Sequence, residues 1–254
     1  MTPLVTPMTR RGAVTTVTLL AIVIGASTLS AQFFGRRGFI INNDPPPTEF
    51  IIARWKYTNN GDIDGIGWSH DYPQAEQHIA QIISEATAVN IERMSYRVVE
   101  LDDPEIFEYP FTYLSEPGEM DLTEPEVVNF REYIDRGGFI MVDDFDGQWA
   151  LENLRRNLRR VFPDREMFRV TIDHEIFHIF YDIDALNVIS PYAVPGEATF
   201  YGVANKNGDL AMIICFNNDV ATFWGWIDQA RYQLKPSIES LRLGINFALY
   251  ALTH

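Results

Sequence analysis

The sequence predicts an α/β domain built around a mostly parallel central sheet. From residue 49 onward, short runs of β-branched and aromatic residues alternate with longer segments of helical periodicity. One of those runs, residues 139–142, is apolar without interruption, which is typical of a parallel strand that is buried on both faces. Asp143, Asp144 and Asp146 follow it. Because ligands of open α/β sheets bind outside the carboxyl ends of the strands, we expect the functional site there.

The first half of the domain contains three predicted strands and two predicted helices. The strands are residues 50–57, 96–101 and 111–114, of which the second is more polar and therefore nearer an edge. Asp71 is a candidate N-cap for the helix after the first strand. Thr123 and Glu126 form a capping box that begins the next helix, and Gly137 ends that helix.

The second half begins with the central strand, residues 139–143. A helical stripe follows, starting at Trp149 and ending at Val161. Residues 198–204 and 210–216 predict a hairpin, and Asn217, Asn218 and Asp219 follow its second strand. The last helix, residues 237–254, places Ile238 and Leu252 at the ends of its predicted buried stripe. Strands that alternate with helices predict a parallel sheet with right-handed crossovers.

Residues 1–31 have the order of a secretory signal peptide. Arg10 and Arg11 precede an uncharged apolar stretch, and small residues follow it. We expect cleavage after Ala31, while the bulky Leu29 leaves an uncleaved amino-terminal anchor as the alternative. Residues 32–48 contain three consecutive prolines and predict an extended tether, and residues 49–254 form the domain. The predicted location is extracytoplasmic, either periplasmic or secreted.

Charge and cysteine content exclude several classes of protein. The formal net charge of -15 argues against binding to nucleic acid, or to a membrane beyond the leader, because phosphate neutralisation needs basic clusters. The single cysteine, Cys215, excludes an internal disulfide and a multi-cysteine zinc site. Because it lies within an apolar run, we interpret Cys215 as a core residue and not as a nucleophile.

The segment HEIFH matches the His-Glu-x-x-His pattern of zinc peptidases. On one face of an α-helix, His174 and His178 would bind zinc, and Glu175 would activate the metal-bound water. Glu197, 19 positions after His178, is the candidate third ligand, although its surroundings predict a turn that enters a strand. We prefer a short helical turn whose histidines form hydrogen bonds beside the aspartates.

The segment NGDIDGIGWSHD, residues 60–71, is a near match to a calcium-binding loop. The oxygen-bearing positions are Asn60, Asp62, Asp64 and Asp71, with Gly65 at position six. Asparagine at position one, aspartate at position twelve and a strand before the loop depart from the pattern. We therefore prefer a solvated loop to a calcium site.

Five segments in order carry a resemblance to a known family: FIIARWKY, the glycine-rich loop ending in WSHDYP, GGFIMVDD, DHEIF and ICFNND. From Phe50 to the carboxyl terminus, the chain resembles an uncharacterised family of exported bacterial proteins, a domain of unknown function in the class I glutamine amidotransferase-like superfamily. The resemblance implies a flavodoxin-like three-layer α/β sandwich. Catalytic members place a cysteine on the turn after a central strand, but this chain has Asp143, Asp144 and Phe145 there. Amidotransferase chemistry is therefore not implied.

We expect a ligand or an envelope protein partner to bind at the carboxyl edge of the sheet, without a cofactor and without catalysis. The candidate ligand-binding residues are Asp143, Asp144, Asp146, Trp68, Asp71, His174 and Asn218. Trp68 lies in a predicted loop at this edge, where an aromatic ring either stacks on a ligand or covers a core. The alternative function is a zinc-dependent hydrolase that uses His174, His178 and Glu197.

Overall fold

The computed structural model describes residues 43–60, 67–186, 190–194 and 196–254. The predicted signal peptide and most of the predicted tether lie outside these ranges. The end of the predicted tether contacts the domain, because Arg97 Nη1 donates to the Asn43 carbonyl over 2.9 Å and Asn90 Nδ2 donates to the Thr48 carbonyl over 3.0 Å. None of the described helices is long and apolar enough to cross a membrane.

The described residues form one seven-stranded sheet in the order β2-β1-β3-β4-β7-β6-β5. Its strands are β1 (Ile52–Lys56), β2 (Tyr96–Glu100), β3 (Phe111–Ser115), β4 (Phe139–Phe145), β5 (Phe168–Arg169), β6 (Thr199–Ala204) and β7 (Leu210–Phe216). The pairs β1–β2, β1–β3, β3–β4 and β4–β7 are parallel, whereas β6 is antiparallel to both β5 and β7. The prediction of a mostly parallel sheet is confirmed, with the aspartate-bearing strand β4 at its centre.

Helices cover both faces of this sheet. They are α1 (Gln74–Ala86), α2 (Glu124–Asp135), α3 (Gly147–Val161), α4 (Val220–Gly225) and α5 (Leu234–Thr253). One apolar core lies between the sheet and α1, α4 and α5, and a second lies between the sheet and α2 and α3. All seven residues of β4 are buried, as expected for a strand covered on both faces. The fold class α/β is confirmed.

Local sequence signals account for the boundaries of α2 and β4. The Thr123 side chain accepts from the Glu126 backbone N–H, and the Glu126 side chain accepts from the Thr123 backbone N–H, which is the predicted capping box. Gly137 has φ of 98°, a conformation that glycine adopts without a Cβ clash, and the chain turns there from α2 into β4. These two signals fix where β4 enters the sheet.

Several local predictions are wrong. Asp71 was predicted as the N-cap of α1, but the N-cap is Pro73, which makes no side-chain hydrogen bond. Asp71 has φ of 57°, and its carboxylate accepts from the Thr222 hydroxyl instead. Trp149 was predicted to start the buried stripe of α3, but its side chain is 59% exposed. The helix begins at Gly147, and its buried face begins at Ala150 and Leu151. The sequence analysis also overlooked β5 and α4, and it overestimated the burial of the exposed residues Ile238 and Leu252.

Candidate functional site

Carboxylates gather where the parallel strands end. Glu116 follows β3, Asp143 and Asp144 lie in the last part of β4, Asp219 follows β7, and Asp71 precedes α1. We call these five residues the acidic corner. Ligand atoms of Asp71, Asp144 and Asp219 lie within 4.8 Å of one another, and the same holds for His70, Glu116 and Asp144. Because parallel strands end at one edge, residues distant in sequence meet there.

The backbone around the corner is in an unusual conformation. Five non-glycine residues in the described ranges have positive φ, and four of them lie at this edge: Asp71 (57°), Glu116 (50°), Asp144 (61°) and Asn217 (53°). A left-handed conformation at a residue with a Cβ costs on the order of 1 kcal/mol or more and persists only where the surrounding structure requires it. The concentration of such residues at one edge motivates a functional interpretation of that edge.

Asp143 is fully buried in the corner. Its Oδ2 accepts the Ala221 backbone N–H over 2.8 Å and the Tyr113 hydroxyl over 3.3 Å. Its Oδ1 has no hydrogen-bond partner in the described part of the chain. Burial, together with the charge of Asp144, raises the pKa of Asp143 to about 7, because a charged carboxylate is poorly solvated there. Asp143 therefore retains a proton to a much higher pH than an exposed aspartate.

Asp144 is held by two partners. Its Oδ2 accepts from Ser115 Oγ over 3.1 Å and lies 3.2 Å from His70 Nδ1. The same His70 nitrogen lies 3.3 Å from Glu116 Oε1. Hydrogen bonds to Asp144 and then to Glu116 raise the pKa of His70 to about 11, so its imidazole is positively charged at neutral pH. The positively charged His70 ring thus interacts with both Asp144 and Glu116.

Asp219 joins the corner to α4. It is 3% exposed, and its Oδ1 accepts the Thr222 backbone N–H over 3.0 Å as the N-cap of α4. The Thr222 hydroxyl in turn donates to Asp71 Oδ2. Burial, followed by the charges of Asp144 and Asp143, raises the pKa of Asp219 well above its ordinary value. The same carboxylates contribute, after burial, to the raised pKa of Tyr192, which therefore lies close to the corner.

A buried ion pair supports the loop that carries His70 and Asp71. Arg54, in β1, is fully buried, and its Nη2 lies 2.6 Å from Glu76 Oε1 in α1. Its Nη1 donates to the carbonyls of Trp68 and His70, each over 3.0 Å. The arginine thereby fixes the backbone of the loop at the position where His70 reaches Asp144.

Three predicted site residues are not among the five of the acidic corner, and two of them are buried. Trp68 is 5% exposed and packs in the apolar core, so its ring covers that core and is not free to stack on a ligand. Asn218 is 1% exposed, and its Oδ1 accepts the Asp219 backbone N–H over 3.0 Å. Asp146, at the N-cap of α3, is partly exposed and makes no capping hydrogen bond.

The predicted placement of His174 beside the aspartates is wrong. Its ring lies 6.0 Å from that of Tyr250, which in turn lies 5.4 Å from the ring of Phe139. Phe139 is the first residue of β4, whereas the aspartates lie at the other end of that strand. The short edge strand β5 was not predicted, and after it the chain places His174 beside Tyr250, in the last part of α5.

The HEIFH segment does not form the helix that a zinc site requires. Glu175–Phe177 is a single 3-10 turn, in which residues four apart are separated by about 120° around the axis instead of sharing a face. His174 Nδ1 accepts the Ile176 backbone N–H over 3.2 Å, and His178 Nε2 donates to the Ile172 carbonyl over 2.7 Å. In the described ranges, neither histidine belongs to a group of three close metal-ligating side chains, and Glu197 does not either.

The predicted calcium loop cannot be assessed as a unit, because residues 61–66 lie outside the described ranges. Its last position, Asp71, belongs to the acidic corner. His70 and Glu116 were not predicted as site residues, although Glu116 lies two residues after the predicted strand 111–114, at its carboxyl end. That position could have identified it as a site residue.

Comparisons with known proteins identify the family of this chain. A comparison with curated proteins finds no match. The sequence profile of a family described as a domain of unknown function, DUF4159, matches residues 51–252. That match covers most of the chain, so this protein belongs to the DUF4159 family.

Proposed function

We propose that this chain is an exported binding domain that receives a ligand or an envelope protein partner at the acidic corner. The observation that carries the proposal is the convergence of Asp71, Glu116, Asp143, Asp144 and Asp219 at one edge of a parallel sheet. Open α/β sheets bind their ligands at this edge. Because several carboxylates lie close together in the acidic corner, we expect a partner that carries positive charge or hydrogen-bond donors.

We further propose a flavodoxin-like fold within the class I glutamine amidotransferase-like superfamily. The five parallel strands have the order β2-β1-β3-β4-β7, which corresponds to the 2-1-3-4-5 order of flavodoxin-like sheets. In the catalytic relatives that the sequence resembles, a cysteine occupies the turn after the central strand. Here Asp144, in the last part of β4, has a left-handed conformation with φ of 61°.

A binding role fits the thiol chemistry of the chain better than covalent catalysis does. Cys215, in β7, is fully buried, and burial followed by the charge of Asp143 raises the pKa of its thiol well above the ordinary value. A thiol in that environment is protonated at neutral pH and is a poor nucleophile. The position that a nucleophile would take holds a carboxylate bonded to Ser115 and His70.

Export is supported by the order of Arg10, Arg11 and the apolar stretch after them. Mass spectrometry of the protein recovered from the envelope fraction tests it. We expect a mature chain that begins at Gln32, after cleavage at Ala31. A chain that retains the leader and pellets with membranes would instead support the anchor, and a full-length chain in the cytoplasmic fraction would contradict export.

Native mass spectrometry tests the binding site itself. The mature domain is titrated with spermidine, glucosamine, a tetralysine peptide and CaCl₂, and we expect at least one to bind. The double variant Asp143→Asn and Asp144→Asn preserves side-chain size but removes two carboxylates, so it should abolish that binding. The matched control is Asp102→Asn with Asp164→Asn, two exposed acids outside the corner. Binding that survives in the double variant, or no binding at all, would contradict the proposal.

A further inference from the structure

Three carboxylates of the acidic corner have the geometry of a cation site. Ligand atoms of Asp71, Asp144 and Asp219 lie within 4.8 Å of one another. Calcium binds oxygen at about 2.3–2.6 Å, so ligands on opposite sides of one ion are separated by about 5 Å. The three carboxylates can therefore surround a single ion without a change in the backbone.

Asp219 supplies a second, independent observation. Its side chain is 3% exposed, and one oxygen, Oδ1, accepts the Thr222 backbone N–H. Within the described ranges, the other oxygen accepts no hydrogen bond, and Asp219 forms no ion pair with a lysine, arginine or histidine. A largely buried carboxylate that lacks a basic partner is costly, and Asp219 places one carboxylate oxygen within 4.8 Å of carboxylate oxygens of Asp71 and Asp144.

In the second group of close side chains, His70, Glu116 and Asp144, the chain itself supplies the positive charge. His70 Nδ1 lies 3.2 Å from Asp144 Oδ2 and 3.3 Å from Glu116 Oε1, so an imidazole already bridges those two acids. Among the described residues, Asp71 and Asp219 form no ion pair of the kind that His70 forms, although Arg54 interacts with Asp71 electrostatically. Thr222 donates its hydroxyl to Asp71 and its backbone N–H to Asp219. The position for an added positive charge is therefore between Asp71, Asp144 and Asp219.

We propose that Asp71, Asp144 and Asp219 bind one hard divalent cation, with Ca²⁺ as the expected ion. This inference rests on the proposed function, because it names the ligand class of the same corner. Three carboxylates are ligands of the type that Ca²⁺, Mg²⁺ and Mn²⁺ prefer, whereas zinc favours nitrogen and sulfur. Ca²⁺ tolerates irregular coordination by groups from separate loops better than Mg²⁺, which requires near-octahedral geometry.

The bound cation would connect three parts of the fold. Asp71 lies before α1, Asp144 at the end of β4, and Asp219 at the start of α4. An ion that bridges them would fix the loop before α1 against the central strand. Binding should therefore raise the thermal stability of the domain in proportion to the logarithm of the ion concentration.

Isothermal titration calorimetry on the mature, metal-stripped protein tests the inference, with CaCl₂, MgCl₂, MnCl₂ and ZnCl₂ as probes. We expect one Ca²⁺ per chain, and Asp219→Asn and Asp144→Asn should each weaken its affinity at least about tenfold. Asparagine retains the N-cap at position 219 and tolerates the left-handed conformation at position 144, so both variants should fold. Asp164→Asn removes the same charge from an exposed loop after α3 and should leave the affinity unchanged.

The outcomes separate this inference from the proposed function. One-to-one binding of Mg²⁺ or Mn²⁺ with the same dependence on Asp144 and Asp219 would support a hard-cation site with a different preference. Absence of binding by all three hard ions at 10 mM, on the order of ten times the weakest dissociation constants of extracellular calcium modules, would overturn it. If spermidine, glucosamine or tetralysine still bound in a manner dependent on Asp143 and Asp144, the proposed function would stand. Tight binding of Zn²⁺ alone, or binding indifferent to both variants, would also overturn the inference.

Discussion

The acidic corner and the HEIFH segment differ in how their ionisable residues are brought together. In the corner, Asp71, Asp144 and Asp219 are separated by many residues in sequence, yet their ligand atoms lie within 4.8 Å. In HEIFH, His174 and His178 are four residues apart, but each forms a hydrogen bond with its own local backbone. The residues distant in sequence bring their ligand atoms together, whereas the two neighbouring histidines do not belong to such a group in the described ranges.

The difference shows which sequence signals survive folding. Parallel strands must end at one edge of a sheet, so polar residues after several strands meet whatever the loops between them do. A short motif instead depends on its local conformation, and the 3-10 turn at Glu175–Phe177 removes the shared face that zinc ligands need. Topology is therefore the stronger argument for a site in this fold.

The largest expected effect comes from removing the arginine that supports the corner. Arg54→Met leaves Glu76 buried without its partner, so we expect a loss of about 3–5 kcal/mol in the free energy of unfolding. Glu175→Gln removes the exposed pair with His254 at the HEIFH segment and should cost less than about 1 kcal/mol. Urea denaturation followed by circular dichroism measures both. Equal losses would mean that the corner is not held more firmly than the HEIFH segment.

A smaller effect is expected from the ionisation of Asp143. Its pKa is about 7 in the folded chain and about 3.9 in an unfolded one, so the folded state binds more protons between these values. In EDTA, the free energy of unfolding should therefore fall as the pH rises from about 4 to about 7 and then level off. Tyr113, Cys215, Asp144 and Asp219 face this carboxylate and shape its environment.

Asp143→Asn provides the control, because an amide of the same size does not titrate. The difference in stability between the native protein and this variant should decline across the same pH interval. Urea denaturation at half-unit pH steps measures it. A difference that stays constant from pH 4 to pH 8 would show that Asp143 ionises as an exposed aspartate does.

The smallest effect is expected at the HEIFH segment. His178 is exposed, and its ring forms hydrogen bonds with the Ile172 carbonyl and Asp182. His178→Ala should therefore change the stability of the domain little and leave the metal content unchanged. Elemental analysis of protein purified without an affinity tag provides the measurement. Stoichiometric zinc that disappears in the variant would restore the zinc hydrolase as the better interpretation.

Local patterns in the sequence predicted most of the fold. The uninterrupted apolar run of β4 placed it at the sheet centre, and the capping box of Thr123 and Glu126 fixed the start of α2. The elements that were missed are short: β5 has two residues and α4 has six, too few to show periodicity. Short elements gain their stability from tertiary contacts, which the local sequence does not encode.

The candidate site was predicted in part. Asp71 and Asp144 were both selected from the sequence, and their ligand atoms lie within 4.8 Å of each other, but Asp71 was also interpreted as the N-cap of α1. Their role in binding stays a prediction. The Asp71 carboxylate instead accepts from the Thr222 hydroxyl, 151 residues away in sequence, and a tertiary contact thus replaced a local one. The roles of His70 and Glu116 depend on side-chain directions at two left-handed turns, which no periodicity reveals.

Anomalous diffraction from crystals soaked in MnCl₂ tests the central claim most directly, because manganese replaces calcium or magnesium at oxygen sites and can be located without a prior assumption. The account predicts one strong anomalous peak among the carboxylates of Asp71, Asp144 and Asp219 and none within reach of the His174 and His178 rings. A peak at the histidines, with the acidic corner unoccupied, would contradict it.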